Sequence, residues 1–260
     1  MIRVRTLTRQ MMPIVALFFT AAAFGQGSQP TANIQPEADE ALRQMGQLLA
    51  ETEAFRFDAH ITQDLPMSAG LKVQMYQHRS VIASRPGKIR VVSHGDLDMN
   101  TASFNDGALT VFDPLRGVYT QIDGPKDIDG ILDHLALERG FVMPLADLLV
   151  SDPYASATER VKLGIYLGKH RVREHTCHHL AFRQEGVDWQ IWIDAGEQPV
   201  PRKLLITFTQ HAGQPQWSAE LDSWDLSPEI DDSVFEFEPP KDTTAVEFDV
   251  FAGRAEQAAE

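Results

Sequence analysis

The sequence predicts a mainly β (α+β) domain: one large, curved antiparallel sheet with an N-terminal helix and a helical lid insertion. Three observations carry this. From Ala54 onward apolar residues recur with period two, and turn residues punctuate the chain about every ten positions. Helical periodicity is confined to residues 36–52 and 125–153. No helical pattern separates most successive strands, which argues against a parallel sheet of βαβ units.

The ends frame this domain. Arg3, Arg5 and Arg9 precede an apolar run from Met11 to Phe24, and small residues sit on either side of the expected cut. This is the layout of a secretory signal peptide, residues 1–25. Its apolar run is about 14 residues, short of the roughly 20 that span a bilayer. Export to the periplasm follows, and with no cysteine near the cleavage site to carry a lipid, a soluble mature chain. Residues 26–36 read as a flexible leader, 37–250 as a single domain and 251–260 as a flexible tail.

The formal net charge is −14, and removal of three arginines with the signal makes it −17. No cluster of Lys or Arg remains to displace counterions from a phosphate backbone, so nucleic acid is excluded as a partner. Anionic membrane surfaces are disfavoured for the same reason. The single cysteine, Cys177, forbids an internal disulfide. A packed core must supply the stability, and a monomer is expected.

Pro36 opens the first helix, with Glu37, Asp39 and Glu40 where the helix dipole favours acids. Ala38, Leu42, Met45, Leu48 and Leu49 form its apolar stripe, and it ends near Thr52. Strands follow at 55–64, 70–84, 88–94, 97–104, 108–113 and 117–123. Asn105-Asp106-Gly107 is the clearest turn, because these residues tolerate positive φ; Pro114 to Gly117 is a second. Then PKDIDGILDHLALERG turns helical, with Ile128, Ile131, Leu132 and Leu135 on one face and Gly140 at its stop. MPLADLLVSDP predicts another short helix, stopped by Asp152-Pro153. Strands resume with KLGIYLG, HTCHHLAFR, VDWQIWID, RKLLITFTQ and QWSAELDSW, and TAVEFDV is the last expected sheet element.

Phosphate-loop, dinucleotide, nucleophile-elbow and zinc-helix motifs are absent. The stretch REHTCHHLAF is the chemical candidate, holding Cys177 and three of the nine histidines. Strand alternation puts His175, Cys177 and His179 on one face. Three successive same-face ligands span about 13 Å, too far for one ion with bonds of roughly 2 Å. A pair from this strand with His60, His78 or His94 is the surviving metal arrangement, and Cys177 activated by a histidine the surviving nucleophile. Asp188 and Asp194 stand at opposite ends of their strand. Trp189 and Trp192 face opposite sides of the sheet, so one is core and the other is available to a cavity or a partner.

The run CHHLAFRQEGVDWQIWID, with PVPRKLLITF, WDLSP and FEFEPP, resembles an uncharacterised family of predicted periplasmic proteins similar to the LolA/LolB-like lipoprotein-carrier superfamily. The resemblance covers residues 37–250 and is most specific from Cys177 to Lys203. It implies an incomplete, curved antiparallel barrel around an apolar cavity, closed by helices, that accepts acyl chains or a hydrophobic peptide. Relatives of that fold also act as sensors in envelope-stress signalling. The lipid anchor of the receptor type has no counterpart here, and no arginine is marked by its context as a lipoprotein switch.

The expected function is therefore a non-enzymatic periplasmic binding or carrier protein for a lipid, acyl chain or acylated protein. Its expected ligand-binding residues are Leu132, Leu135, Leu148, Leu149, Phe182, Trp189 and Trp192, with no cofactor and no metal. An envelope-stress sensor or protein-interaction domain with an envelope-protein partner is the first alternative. A metal-dependent enzyme using Cys177 and nearby histidines is the second.

Overall fold

The computed structural model describes residues 33–67, 70–96, 98–141 and 145–252. The expected signal peptide, most of the expected leader and residues 253–260 lie outside them. Two meanders make one sheet. The first comprises β2 (Ala54–Pro66), β3 (Lys72–Ser84), β4 (Lys88–Gly95), β5 (Met99–Asn105), β6 (Ala108–Asp113) and β7 (Val118–Asp123). The second comprises β8 (Leu163–Val172), β9 (His175–Gln184), β10 (Val187–Asp194), β11 (Pro201–Phe208) and β12 (Gln216–Asp225).

β12 returns to pair antiparallel with β2, which welds the meanders in the order β8-β9-β10-β11-β12-β2-β3-β4-β5-β6-β7. Two short strands cap the edges: β1 (Asn33–Ile34) beside β8 and β13 (Thr244–Ala245) beside β7, both parallel. The thirteen strands curve without closing into a barrel. Asn33 and Ile34 are thus strand where the sequence reads a flexible leader.

The helices fill the concave side. Helix α1 (Pro36–Glu51) begins at Pro36 with Glu37 and Asp39 in its first turn, and buries Ala38, Leu42, Met45 and Leu49. Helix α2 (Ile128–Arg139) is capped by the Asp127 carboxylate, which accepts from Gly130 N–H, and ends at Gly140 with φ 58°. Its Ile128, Ile131, Leu132 and Leu135 are buried. These residues and the inward faces of the strands form one apolar core. Among the described residues, no helix is long and apolar enough to cross a membrane.

Two local expectations are corrected. Asp152-Pro153 does not stop a helix; it starts α3 (Pro153–Thr158). The Asp152 carboxylate accepts from Ala155 N–H, and proline suits the first turn because the N–H it lacks would have no partner there. What precedes it is only a 3-10 turn, Ala146–Leu148. TAVEFDV likewise gives two strand residues and then α4 (Phe248–Phe251), because Phe248 turns into the core and meets Phe141 edge-on at 6.1 Å.

Candidate functional site

A cavity of ≈ 140 Å³ lies between the concave face and its cover. Its floor is Val187, Trp189 and Ile191 of β10 with Leu204 and Ile206 of β11. Alternation on these strands sends the same residues inward, so the floor follows directly from the period-two pattern. Leu42 and Met45 of α1 form one wall, Leu145 and Leu148 another, and Ala157 of α3 part of the roof. Asp147, Ser156, Glu159, Arg160 and Gln184 give it a polar rim.

The roof is held by specific contacts. Gly46 of α1 has no side chain where α3 crosses: a Cβ there would stand 2.7 Å from Tyr154 Cβ. Beside this crossing the Tyr154 hydroxyl donates to Asp39 at 2.5 Å and accepts from Arg43 at 2.8 Å. The hydrogen bonds that Asp39 accepts, from Tyr154 first and then Arg43, hold its carboxyl below the usual range. Ser156 Oγ donates to Asp147 across the rim at 2.7 Å.

A second fastening was not legible in the sequence. Arg85, in the β3–β4 turn, donates to the main-chain carbonyls of Leu149 at 2.7 Å, Leu49 at 3.3 Å and Thr52 at 3.3 Å. One guanidinium thereby ties the end of α1 to the segment that leads into α3. Its partners are backbone atoms, so no residue type elsewhere marks the bond.

The residues expected to bind ligand are divided by the structure. Leu148 and Trp189 line the cavity. Phe182 lies behind Trp189, its ring stacked on the indole at 4.2 Å, and Leu149 is buried in the core. Leu132 and Leu135 lie elsewhere, under α2 against Ile89, Val91, Ala102, Phe104 and Leu109, where the residual space is ≈ 10 Å³. That is about the room of one water. Trp192 points to the opposite, convex face. The cover over the cavity is therefore α1 and α3 with the turn between α2 and α3; α2 itself packs tightly.

The convex face carries His175, Cys177 and His179 with His170 of β8, while His178 lies on the other face, its Nδ1 2.9 Å from the Tyr166 hydroxyl. His179 stacks on Trp192 at 4.0 Å, its Nε2 lies 3.0 Å from Gln190 Oε1, and its Nδ1 lies 2.9 Å from His170 Nδ1. Cys177 is fully buried under the β8–β9 hairpin. Burial, reinforced by the Asp194 charge, pushes its thiol up to about 11, so it stays protonated at neutral pH and is a weak nucleophile and ligand. His175 and Arg202 both reach the Asp194 carboxylate, at 3.0 and 2.8 Å. Asp188 is held instead by Arg183.

His60, His78 and His94 do not join them. They stand on β2, β3 and β4, with ring centroids 5.0 and 4.9 Å apart and the planes tilted by 48° and 51°, and four strand spacings, roughly 19 Å, separate β9 from β2. The pairing of Cys177 and His179 with one of these histidines on a single ion is thus ruled out by register. Among the described residues, no three His, Cys, Asp or Glu side chains converge as a metal-binding set.

Residues 38–249 match a family model described as "Predicted periplasmic protein (DUF2092)". A search of curated proteins returns no match. Among solved structures, an uncharacterised conserved protein from Thermus thermophilus is 13% identical, with TM-score 0.49, over 81% of this chain and 99% of that one. The lipoprotein LppX of Mycobacterium tuberculosis is 11% identical, TM-score 0.43, over 76% and 100%. A LolA superfamily protein from Nitrosomonas europaea is 9% identical, TM-score 0.39, over 77% and 97%. At these values the likenesses transfer no function.

Proposed function

From the chain's membership of this family of predicted periplasmic proteins, shown by the match over residues 38–249, we propose that it binds or carries a hydrophobic ligand and catalyses no reaction. The observation that supports this is the cavity itself: ≈ 140 Å³, with an apolar floor and walls and its polar groups confined to the rim. A pocket of that composition is the ordinary form of a small-ligand site. Seating an apolar segment against this floor takes the apolar surface of both out of water.

The volume also limits the ligand. An apolar cavity of about 150 Å³ accepts a molecule the size of benzene. The cavity therefore suits one short stretch of an acyl chain, with the rest of a whole lipid or an acylated protein lying outside its polar rim.

Native mass spectrometry of gently purified mature protein, followed by solvent extraction, tests the reading. A bound lipid, and displacement of a fluorescent fatty-acid probe by it, are the expected results. Filling the space with Ala157→Trp should weaken probe binding about tenfold or more while the chain stays folded. Absence of any co-purified lipid together with failure of the wild-type protein to bind the probe would remove the reading.

A further inference from the structure

One charged side chain on the concave face has no place in this scheme. Arg79, in β3, pairs across the sheet with Ala59 of β2 and Ser93 of β4, both buried. Val81 and Ala83 follow on the same face and are core, while His78 and Ser80 point outward. Arg79 therefore projects among apolar neighbours. Its Nε is shut off from solvent and has no hydrogen-bond partner, and no described residue forms an ion pair with it. Asp98 acts on it only through its field and is itself engaged by Gln77 Nε2 at 2.5 Å. Burial pulls the guanidinium below its ordinary range.

A guanidinium cannot shed its charge near neutral pH, so holding the half-buried Arg79 on this face with its Nε shut off from solvent and without a partner costs free energy in the free protein. An anion arriving from outside removes that penalty, and its fit to a guanidinium is charge-assisted and directional. Between Arg79 and the cavity the concave face carries the apolar, fully buried Ala219 and Ile61, so a ligand tail crosses it by displacing the side chains that cover them. Leu204 on the cavity floor pairs with Ala219, Ala219 with Ile61 and Ile61 with Gln77, the residue two before Arg79 on the same face. Three strand spacings separate Leu204 from β3, roughly 14 Å, about the reach of an extended dodecyl chain.

We infer that Arg79 is the anion-binding subsite of the concave face and takes the carboxylate or phosphate head of an amphipathic ligand whose tail enters the cavity. The tail part rests on the proposed function; the anion part does not.

The test measures, on the full mature protein, displacement of a fluorescent acyl probe by laurate, by dodecyl phosphate and by uncharged methyl laurate. Inorganic phosphate alone is followed through the Arg79 Nε–Hε resonance. Wild type should bind at least one of the two charged ligands about tenfold or more tightly than methyl laurate, and which one identifies the head group. In Arg79→Met that preference should vanish with methyl laurate unaffected, and Arg79→Lys should retain part of it. The free Arg79→Met protein should unfold at the same or higher urea concentration than wild type, which a purely structural arginine would not allow. Equal binding of charged and uncharged ligands by wild type, or a preference that survives in Arg79→Met, overturns the inference. If Arg79→Met does not fold, the wild-type and Arg79→Lys comparison decides. If wild type binds none of the acyl compounds, the cavity reading fails. Phosphate then decides for Arg79: a saturable resonance shift upholds the subsite and no shift overturns it.

Discussion

Arg85 donates from Nη1 to the main-chain carbonyl of Leu149 at 2.7 Å, so a sheet turn grips the segment that roofs the cavity. The same guanidinium reaches Leu49 and Thr52 at the end of α1. Arg85→Met leaves three half-buried carbonyls without their donor. The expected loss is about 2–4 kcal/mol in urea unfolding, and faster hydrogen exchange over 146–158 than over β2–β3. Arg85→Lys, with one point of charge in place of a planar fork, should recover only part.

Gly46→Ala tests the crossing of α1 and α3. Alanine favours a helix over glycine by about 1 kcal/mol. Here its Cβ would meet Tyr154 Cβ at 2.7 Å and Tyr154 N at 2.9 Å. The clash, about 1–3 kcal/mol for overpacking, should outweigh the propensity gain, lower stability and loosen the roof. A more stable Gly46→Ala protein would show that the crossing yields freely.

The two tryptophans of β10 should differ sharply on truncation. Trp189→Ala removes the cavity floor and the stack on Phe182 and is expected to cost about 3–5 kcal/mol. Trp192→Ala removes a stack on His179 at the half-exposed convex face, for about 1 kcal/mol. Only the first should alter probe binding.

Stability should fall in two separate pH windows. Burial holds His78, His178 and His179 below the usual histidine value, so the unfolded chain takes up their protons first. Their contribution is complete above pH ~6.5 and is lost as pH falls through their folded values. For Asp194, burial works upward, but the Gly196 N–H, Arg202 and His175 together hold it low. Its contribution persists above about pH 4 and disappears only below that. Urea unfolding of His179→Gln should show a shallower slope than wild type between pH 6.5 and 5, by at most about 1.4 kcal/mol per pH unit.

Cys177 is fully buried, with its thiol at about 11, and should resist thiol reagents at pH 8 in the folded protein. Labelling should appear only with unfolding in urea. Rapid labelling of the native chain would revive a chemical role for REHTCHHLAF.

Much of this fold was legible because alternation is a local property. The stretch VDWQIWID occupies β10 without a residue's error, and its alternation separates Trp189 from Trp192. Gly140 and Asp106-Gly107 adopt the positive φ their residue types suggest. Errors fell where one local signal has two meanings. Asp152-Pro153 fits either side of a helix end, and Phe248 decides between strand and helix only through what it packs against.

The sequence by itself determined the mainly β architecture, the position of the helices and the weakness of a single-ion site in REHTCHHLAF, because each follows from spacing along one element. Tertiary structure alone decided which leucines face a cavity and which fill a packed core. Leu132 and Leu148 have the same pattern in sequence and opposite surroundings in space. It alone also decided that Arg85 holds the roof by backbone carbonyls and that Arg79 stands unpaired on the concave face. Partners drawn from distant strands leave no trace in local periodicity. The order β12-β2-β3, which sets them side by side, exists only once the two meanders have joined.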